Sequence, residues 1–190
     1  MANWLIAGLG NPGPQYEHTR HNVGFWWLDQ LAYDLSTTFS VENKFHGQLA
    51  QSQSPEHKLF LLKPLVFMNR SGQSVAALAN FYKIPLSNTL IIHDELDLTA
   101  GIARLKRGGG HGGHNGLRDI IARTGSKDFL RCRLGINHPG DSRYVADYVL
   151  SKPSQPDRQV IHSAIDDSLR VLPDILSGNL DKAMNWLHSQ

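Results

Sequence analysis

Leu90-Ile91-Ile92-His93-Asp94-Glu95-Leu96-Asp97 decides the architecture. Three successive apolar residues without polar alternation suit a strand covered on both faces, as the central strands of sheets packed between helices are. The acids that follow put polar chemistry at the carboxyl end of that strand, the edge where open α/β sheets bind ligands. Working outward, Trp4-Leu5-Ile6-Ala7-Gly8-Leu9 and Leu59-Phe60-Leu61-Leu62 read as two further buried strands, one entering a glycine turn and one stopped by Pro64. Between them lie helical stripes: Val23, Trp27, Leu28 and Leu31 over 22–35, and Val75, Leu78, Ala79 and Tyr82 over 71–82. Ile102-Ala103-Arg104-Leu105-Lys106 alternates as a half-exposed strand, and Asn115 is the expected N-cap of a helix running to about Arg123 and ended by Gly125. A strand over 129–136, a short helix over 145–150, a loop over 151–156 and helices over 157–177 and 180–188 complete the chain. Strands interleaved with helices predict an α/β fold, a single three-layer globule with a central mixed β-sheet flanked by helices, in one domain over 1–190.

The chain has 190 residues, 41% hydrophobic and 19% charged, which excludes a disordered chain. Its single cysteine, Cys132, excludes a disulfide scaffold and a cysteine zinc ribbon, and reads as a small buried hydrophobe. No apolar run is long enough to cross a bilayer, and Met1-Ala2-Asn3-Trp4 does not start a signal peptide; the expectation is a cytoplasmic protein without membrane contact. The formal net charge is only +2, but its distribution is uneven. Arg104, Lys106, Arg107, Arg118, Arg123, Lys127, Arg131 and Arg133 face only Asp119 and Asp128. From Asp157 onward, five aspartates outnumber Arg158, Arg170 and Lys182. A basic face on a near-neutral protein fits a partner rich in phosphate.

Gly8-Leu9-Gly10-Asn11-Pro12-Gly13 matches G-x-G-x-x-G after a strand, but Pro12 and Pro14 disfavour a helix starting inside it, and no acid-ended strand follows. The loop is better read as a rigid turn presenting Asn11. Next, Tyr16-Glu17-His18-Thr19-Arg20-His21-Asn22 sets His21 beside a helix start, where the positive end of the dipole favours a neutral imidazole. Asp94 is suited to hold the other ring N–H of such a histidine; solvated loop acids or ligands for a hard cation are the alternatives. In Phe67-Met68-Asn69-Arg70-Ser71-Gly72, a cap by Ser71 leaves Asn69 free for a ligand carbonyl or ester oxygen. Gly108-Gly109-Gly110-His111-Gly112-Gly113-His114 surrounds His111 with five glycines, too costly in entropy to serve packing. Such a loop lets backbone amides approach an anion, here an RNA backbone. His111 and His114 could alternatively belong to a metal site with His93 and Asp94. No G-x-S-x-G elbow is present, so water activated by His21 is the economical hydrolytic scheme.

Together GLGNPGPQYEHTRHNVGF, PLVFMNRSG, HDELDL, GGGHGGHNGLRD and RLGINHPGD resemble the bacterial-type peptidyl-tRNA hydrolases, in order and spacing over essentially the whole chain. The resemblance implies hydrolysis of the ester joining a peptide or N-blocked aminoacyl group to the 3′ end of tRNA, by a monomer without cofactor or metal. It implies His21 as the catalytic base, Asp94 as its support and Asn11 as the group that separates blocked from free aminoacyl esters. Tyr16, Phe67, Asn69 and Asn115 fall on tRNA or peptide contacts. Lys106 and Arg133 fall on contacts to the 5′-phosphate and acceptor stem, with Arg104 standing at a neighbouring position where the family carries lysine. A non-catalytic RNA-binding module is the alternative.

Overall fold

The computed structural model describes residues 1–190. Seven strands form one sheet in the order β2-β3-β4-β1-β5-β7-β6. The strands are β1 (Ala2–Gly8), β2 (Ser40–Glu42), β3 (Gly47–Gln53), β4 (His57–Pro64), β5 (Thr89–Glu95), β6 (Ala103–Arg107) and β7 (Leu130–Gly135). The four central strands β4, β1, β5 and β7 run parallel, whereas β2, β3 and β6 join antiparallel. The sheet is therefore mixed, as expected. Seven helices cover it: α1 (Val23–Asp34), α2 (Ser71–Tyr82), α3 (Asn115–Thr124), α4 (Val145–Val149), α5 (Gln155–Arg170), α6 (Leu172–Leu176) and α7 (Leu180–Leu187).

Successive strand residues feed opposite cores. Trp4, Ile6, Leu90 and Ile92 pack under α1, α5 and the C-terminal helices, whereas Leu5, Ala7 and Ile91 pack under α2 and α3. This two-sided burial explains why the central strands are apolar without alternation. Cys132 is buried in the first core, and burial pushes its thiol up to about 12, so it is inert.

The structure departs from the expected elements in five places. β2 and β3 have no counterpart in the apolar periodicity, because this hairpin lies at the sheet edge and carries polar residues such as Gln48, Gln51 and Gln53. The long helix expected over 157–177 breaks after Arg170, where Pro173 opens α6. Part of the expected 151–156 loop is instead the start of α5, capped by the Ser154 hydroxyl with Pro156 in the first turn. Finally, α3 is capped by His114 rather than Asn115, and Ser71 does not cap α2 but donates its hydroxyl to the Met68 carbonyl. No helix is long and apolar enough to cross a membrane.

Candidate active site

Because β1, β4, β5 and β7 are parallel, their carboxyl ends open on one edge. From that edge project the 9–22 segment after β1, the 65–70 segment after β4, Asp94 near the end of β5, and α4 beyond β7. α1 reaches this edge through a glycine contact. A Cβ on Gly24 would lie 2.5 Å from the Leu9 amide nitrogen and 2.6 Å from the Ile92 carbonyl oxygen, so only glycine lets the helix start rest on the strand ends. That approach brings His21, in the turn just before α1, against β5.

His21 Nδ1 and Asp94 Oδ2 are 2.8 Å apart, and His114 Nε2 lies 2.8 Å from Asp94 Oδ1. The other nitrogen of His114, Nδ1, accepts the amides of Gly116 and Leu117 at the start of α3. That nitrogen must then be unprotonated, which leaves the proton of a neutral ring on Nε2, donated to Asp94. The carboxylate thus receives two imidazole N–H groups. It is 3% exposed, and although burial opposes ionisation, His21 and His114 hold it well below the usual carboxylate range. Burial pushes His21 down, but the Asp94 charge and hydrogen bond outweigh it and raise His21 above its ordinary value. The carboxylate therefore overrides the lowering expected from the helix start. Nε2 of His21 has no protein partner, and the ring lines the cleft.

The cleft has two continuous lobes of about 280 and 270 Å³ that share His21, Asn115, Ala146 and Val149. One lobe gathers Asn11, Tyr16, Phe67, Asn69 and Asn115, so five widely spaced expected residues meet beside His21. Tyr16 and Phe67 stand edge to face with ring centres 6.3 Å apart. Asn11 is more constrained than its turn suggested. It is 7% exposed, and its Oδ1 accepts the Met68 amide at 2.7 Å while its backbone exchanges two hydrogen bonds with the Asn22 side chain. The Asn11 carbonyl oxygen of the side chain is spent, and the NH₂ end is what it offers the cleft: a donor, not an acceptor.

The basic residues stand apart from this lobe. Arg104 donates to the His188 carbonyl at 2.9 Å, and Arg133 lies 3.7 Å from Glu95. Lys106 is exposed. Two contributors escaped the sequence reading. α4 walls the cleft with Val145, Ala146 and Val149, whereas Ile161, Ala164 and Ile165 of α5 belong to the core. Arg20, buried beside His21, fastens that wall by donating to the Tyr148 and Ser151 carbonyls. The run of arginine directly before histidine was visible but carried no signal of its partner 128 residues away.

His21, Asp94 and His114 also form a group with one ligand atom each within 4.8 Å of one another. For His114 to ligate an ion there its 2.8 Å bond to Asp94 would have to break, since its Nδ1 is occupied by the helix cap. His111 does not join the group; its Nδ1 accepts the Gly113 amide. His93 also lies outside the group, with Nδ1 on the Asp94 carbonyl, and burial pushes it down to about 3.

Comparison with known proteins gives one consistent result. The family described as peptidyl-tRNA hydrolase matches residues 5–190. A peptidyl-tRNA hydrolase of Neisseria meningitidis is 53% identical over 186 residues, covering 98% of this chain and 97% of that protein. One from Coxiella burnetii is 57% identical over 185 residues, covering 97% of both. The crystal structure of the peptidyl-tRNA hydrolase from Acinetobacter baumannii superposes with a TM-score of 0.95 at 45% identity, covering 98% of this chain and 94% of that one.

Proposed function

The chain belongs to the peptidyl-tRNA hydrolase family, and from that premise we propose that His21 is the base that activates water against the ester linking peptide to tRNA. The reaction is hydrolysis of peptidyl-tRNA. The observation that carries the assignment is the divided imidazole: Nδ1 held by Asp94 at 2.8 Å, Nε2 free and facing the cleft. Nε2 takes a proton from water as its oxygen attacks the acyl carbonyl, and the carbonyl electrons move onto oxygen. Collapse of that oxyanion breaks the acyl–O3′ bond, and the imidazolium returns its proton to the ribose oxygen. Asp94 orients the ring and stabilises its charged form.

The donor end of Asn11 faces the lobe where the first peptide unit or the oxyanion lies, and Asn69 and Asn115 supply further amides. A peptide carbonyl accepts from Asn11, whereas the charged amine of a free aminoacyl ester does not. Tyr16 and Phe67 offer flat faces to the terminal adenine or nascent residue. Lys106, Arg104 and Arg133 take the acceptor stem through its phosphates without reading sequence. The substrate is a by-product of ribosomes, which suits the cytoplasm.

The test is hydrolysis of an N-acetyl-aminoacyl-tRNA by the wild type, His21→Ala and Asp94→Asn, with and without a chelator. His21→Ala should lose about 10²–10⁴-fold in kcat while retaining tRNA binding. Retained turnover in His21→Ala overturns the assignment; loss on chelation with recovery on added zinc transfers it to a metal centre.

A further inference from the structure

The basic end of the sheet holds an arrangement that the ester chemistry does not use. Across β6 and β7, Arg104 lies opposite Arg133 and Lys106 opposite Arg131, two adjacent pairs of like charge on one face. Such pairs are destabilising when uncompensated. Arg133 has Glu95 at 3.7 Å, but Arg131 forms no salt bridge although it is only 2% exposed. Its guanidinium instead donates to the carbonyls of Gly109 and Gly110, the latter at 2.6 Å, and to that of Lys127 at 3.3 Å. The like-charge surplus is left uncancelled.

These carbonyls fix the direction of the loop. All peptide bonds are trans, and in a trans peptide unit the C=O and the following N–H point oppositely. With the Gly109 and Gly110 carbonyls turned in toward Arg131, the amides of Gly110 and His111 face away from it. Neither amide donates to any protein acceptor. The α3 helix start is not the donor here, since His114 already takes the Gly116 and Leu117 amides. The Lys106 ammonium stands beside the same loop: a Cβ on Gly109 would meet its Nζ at 2.7 Å.

The geometry points to a main-chain anion site at Gly110–His111, backed by the Arg131 charge and flanked by Lys106, that holds one phosphate of the tRNA substrate. Arg131 is a positioning residue: it turns the peptide units and supplies positive potential without touching the ligand. The site rests on the peptidyl-tRNA reading and deepens it, separating a backbone grip from the side-chain contacts of Lys106 and Arg133. Inorganic phosphate shares the ligand chemistry, so the experiment separates the two sources.

The test uses the full chain labelled with ¹⁵N, titrated with inorganic phosphate and, separately, with a 5′-phosphorylated RNA hairpin that lacks an ester. The Gly110 and His111 amide resonances should move saturably with the hairpin at concentrations at least tenfold below those needed with phosphate. Arg131→Gln should abolish those two shifts and raise KM for peptidyl-tRNA by tenfold or more, well beyond any fall in kcat; Arg131→Lys should restore part of both. Shifts with phosphate alone would mark an adventitious ion only and overturn the proposal, as would resonances that stay still when the hairpin saturates the wild type. The wild-type titration needs no variant to fold. Silent amides in a chain that hydrolyses peptidyl-tRNA sink this site alone, whereas absence of hydrolysis sinks the reading beneath it.

Discussion

Asp94 accepts from two imidazoles, and that count sets what each ring does. His114 is fixed as a neutral donor by the α3 cap, so His21 is the ring free to gain and lose a proton at Nε2. The active form of His21 is neutral, and Asp94 raises its pKa above the ordinary value of about 6.5. kcat/KM should therefore climb with pH through an inflection above 6.5. Asp94→Asn should shift that inflection toward acid and lower kcat by about 10²–10⁴-fold, read from pH–rate profiles of both proteins. His114→Ala removes one charge-assisted bond to Asp94, of roughly 1.5–3 kcal/mol, so kcat should fall on the order of tenfold or more. Unchanged turnover in that variant would show that one imidazole suffices to hold the carboxylate. Asn11→Ala should narrow the preference for N-acetyl over free aminoacyl-tRNA, because the NH₂ donor is lost. At this scale the placement of His21, Asp94, Asn11 and Asn69 at the sheet edge was legible from motif and strand end, and that of Asn115 only from the family resemblance. The role of His114 was not, because it depends on α3 being capped one residue earlier than the expected Asn115.

The turn before α1 reaches β5 only because the helix start can touch the strand ends. Gly24→Ala places a methyl against the Leu9 amide and the Ile92 carbonyl, backbone atoms that cannot swing aside. The expected cost is about 1–3 kcal/mol in chemical denaturation, with a larger loss of kcat than of tRNA affinity as His21 moves from Asp94. Equal stability in the two proteins would mean the contact relaxes freely. The sequence showed Gly24 inside a helical stripe but gave no hint of what it touches. The central strands were readable as unbroken apolar runs, α1 and α2 from apolar stripes of helical period, and α3 from the signals at its two ends. The β2–β3 edge was not, since half-exposed polar strands lack that period. The α5–α6 break was misread for a related reason: Val171, Leu172 and Ile175 continue an apolar stripe into the core across the interruption.

Whole-molecule properties follow from where charge is placed. Lys106→Ala should raise KM more than it lowers kcat and reduce the salt slope of tRNA binding by about 1 phosphate contact. An unchanged slope would remove Lys106 from the phosphate surface. Global stability should fall in acid for a separate reason. His93 is buried neutral with a pKa near 3, so the unfolded chain binds a proton near pH 6.5 that the folded chain refuses. Stability contributed by this group is complete above pH 6.5 and declines by roughly 1.4 kcal/mol per pH unit toward pH 3. His93→Asn keeps a donor for the Asp94 carbonyl without a titrating ring, and denaturation at pH 7 and pH 5 should show a smaller acid loss than in the wild type. The sequence by itself determined the α/β class, the buried central strands, the glycine loop, the uneven charge and the family, because these reside in residue order and period. The tertiary structure alone decided that Asp94 serves two histidines, that Asn11 offers a donor, that α4 walls the cleft, and that Arg131 turns inward. Each depends on which distant backbone group absorbs a side chain's hydrogen bonds, and no local pattern of residues records that choice.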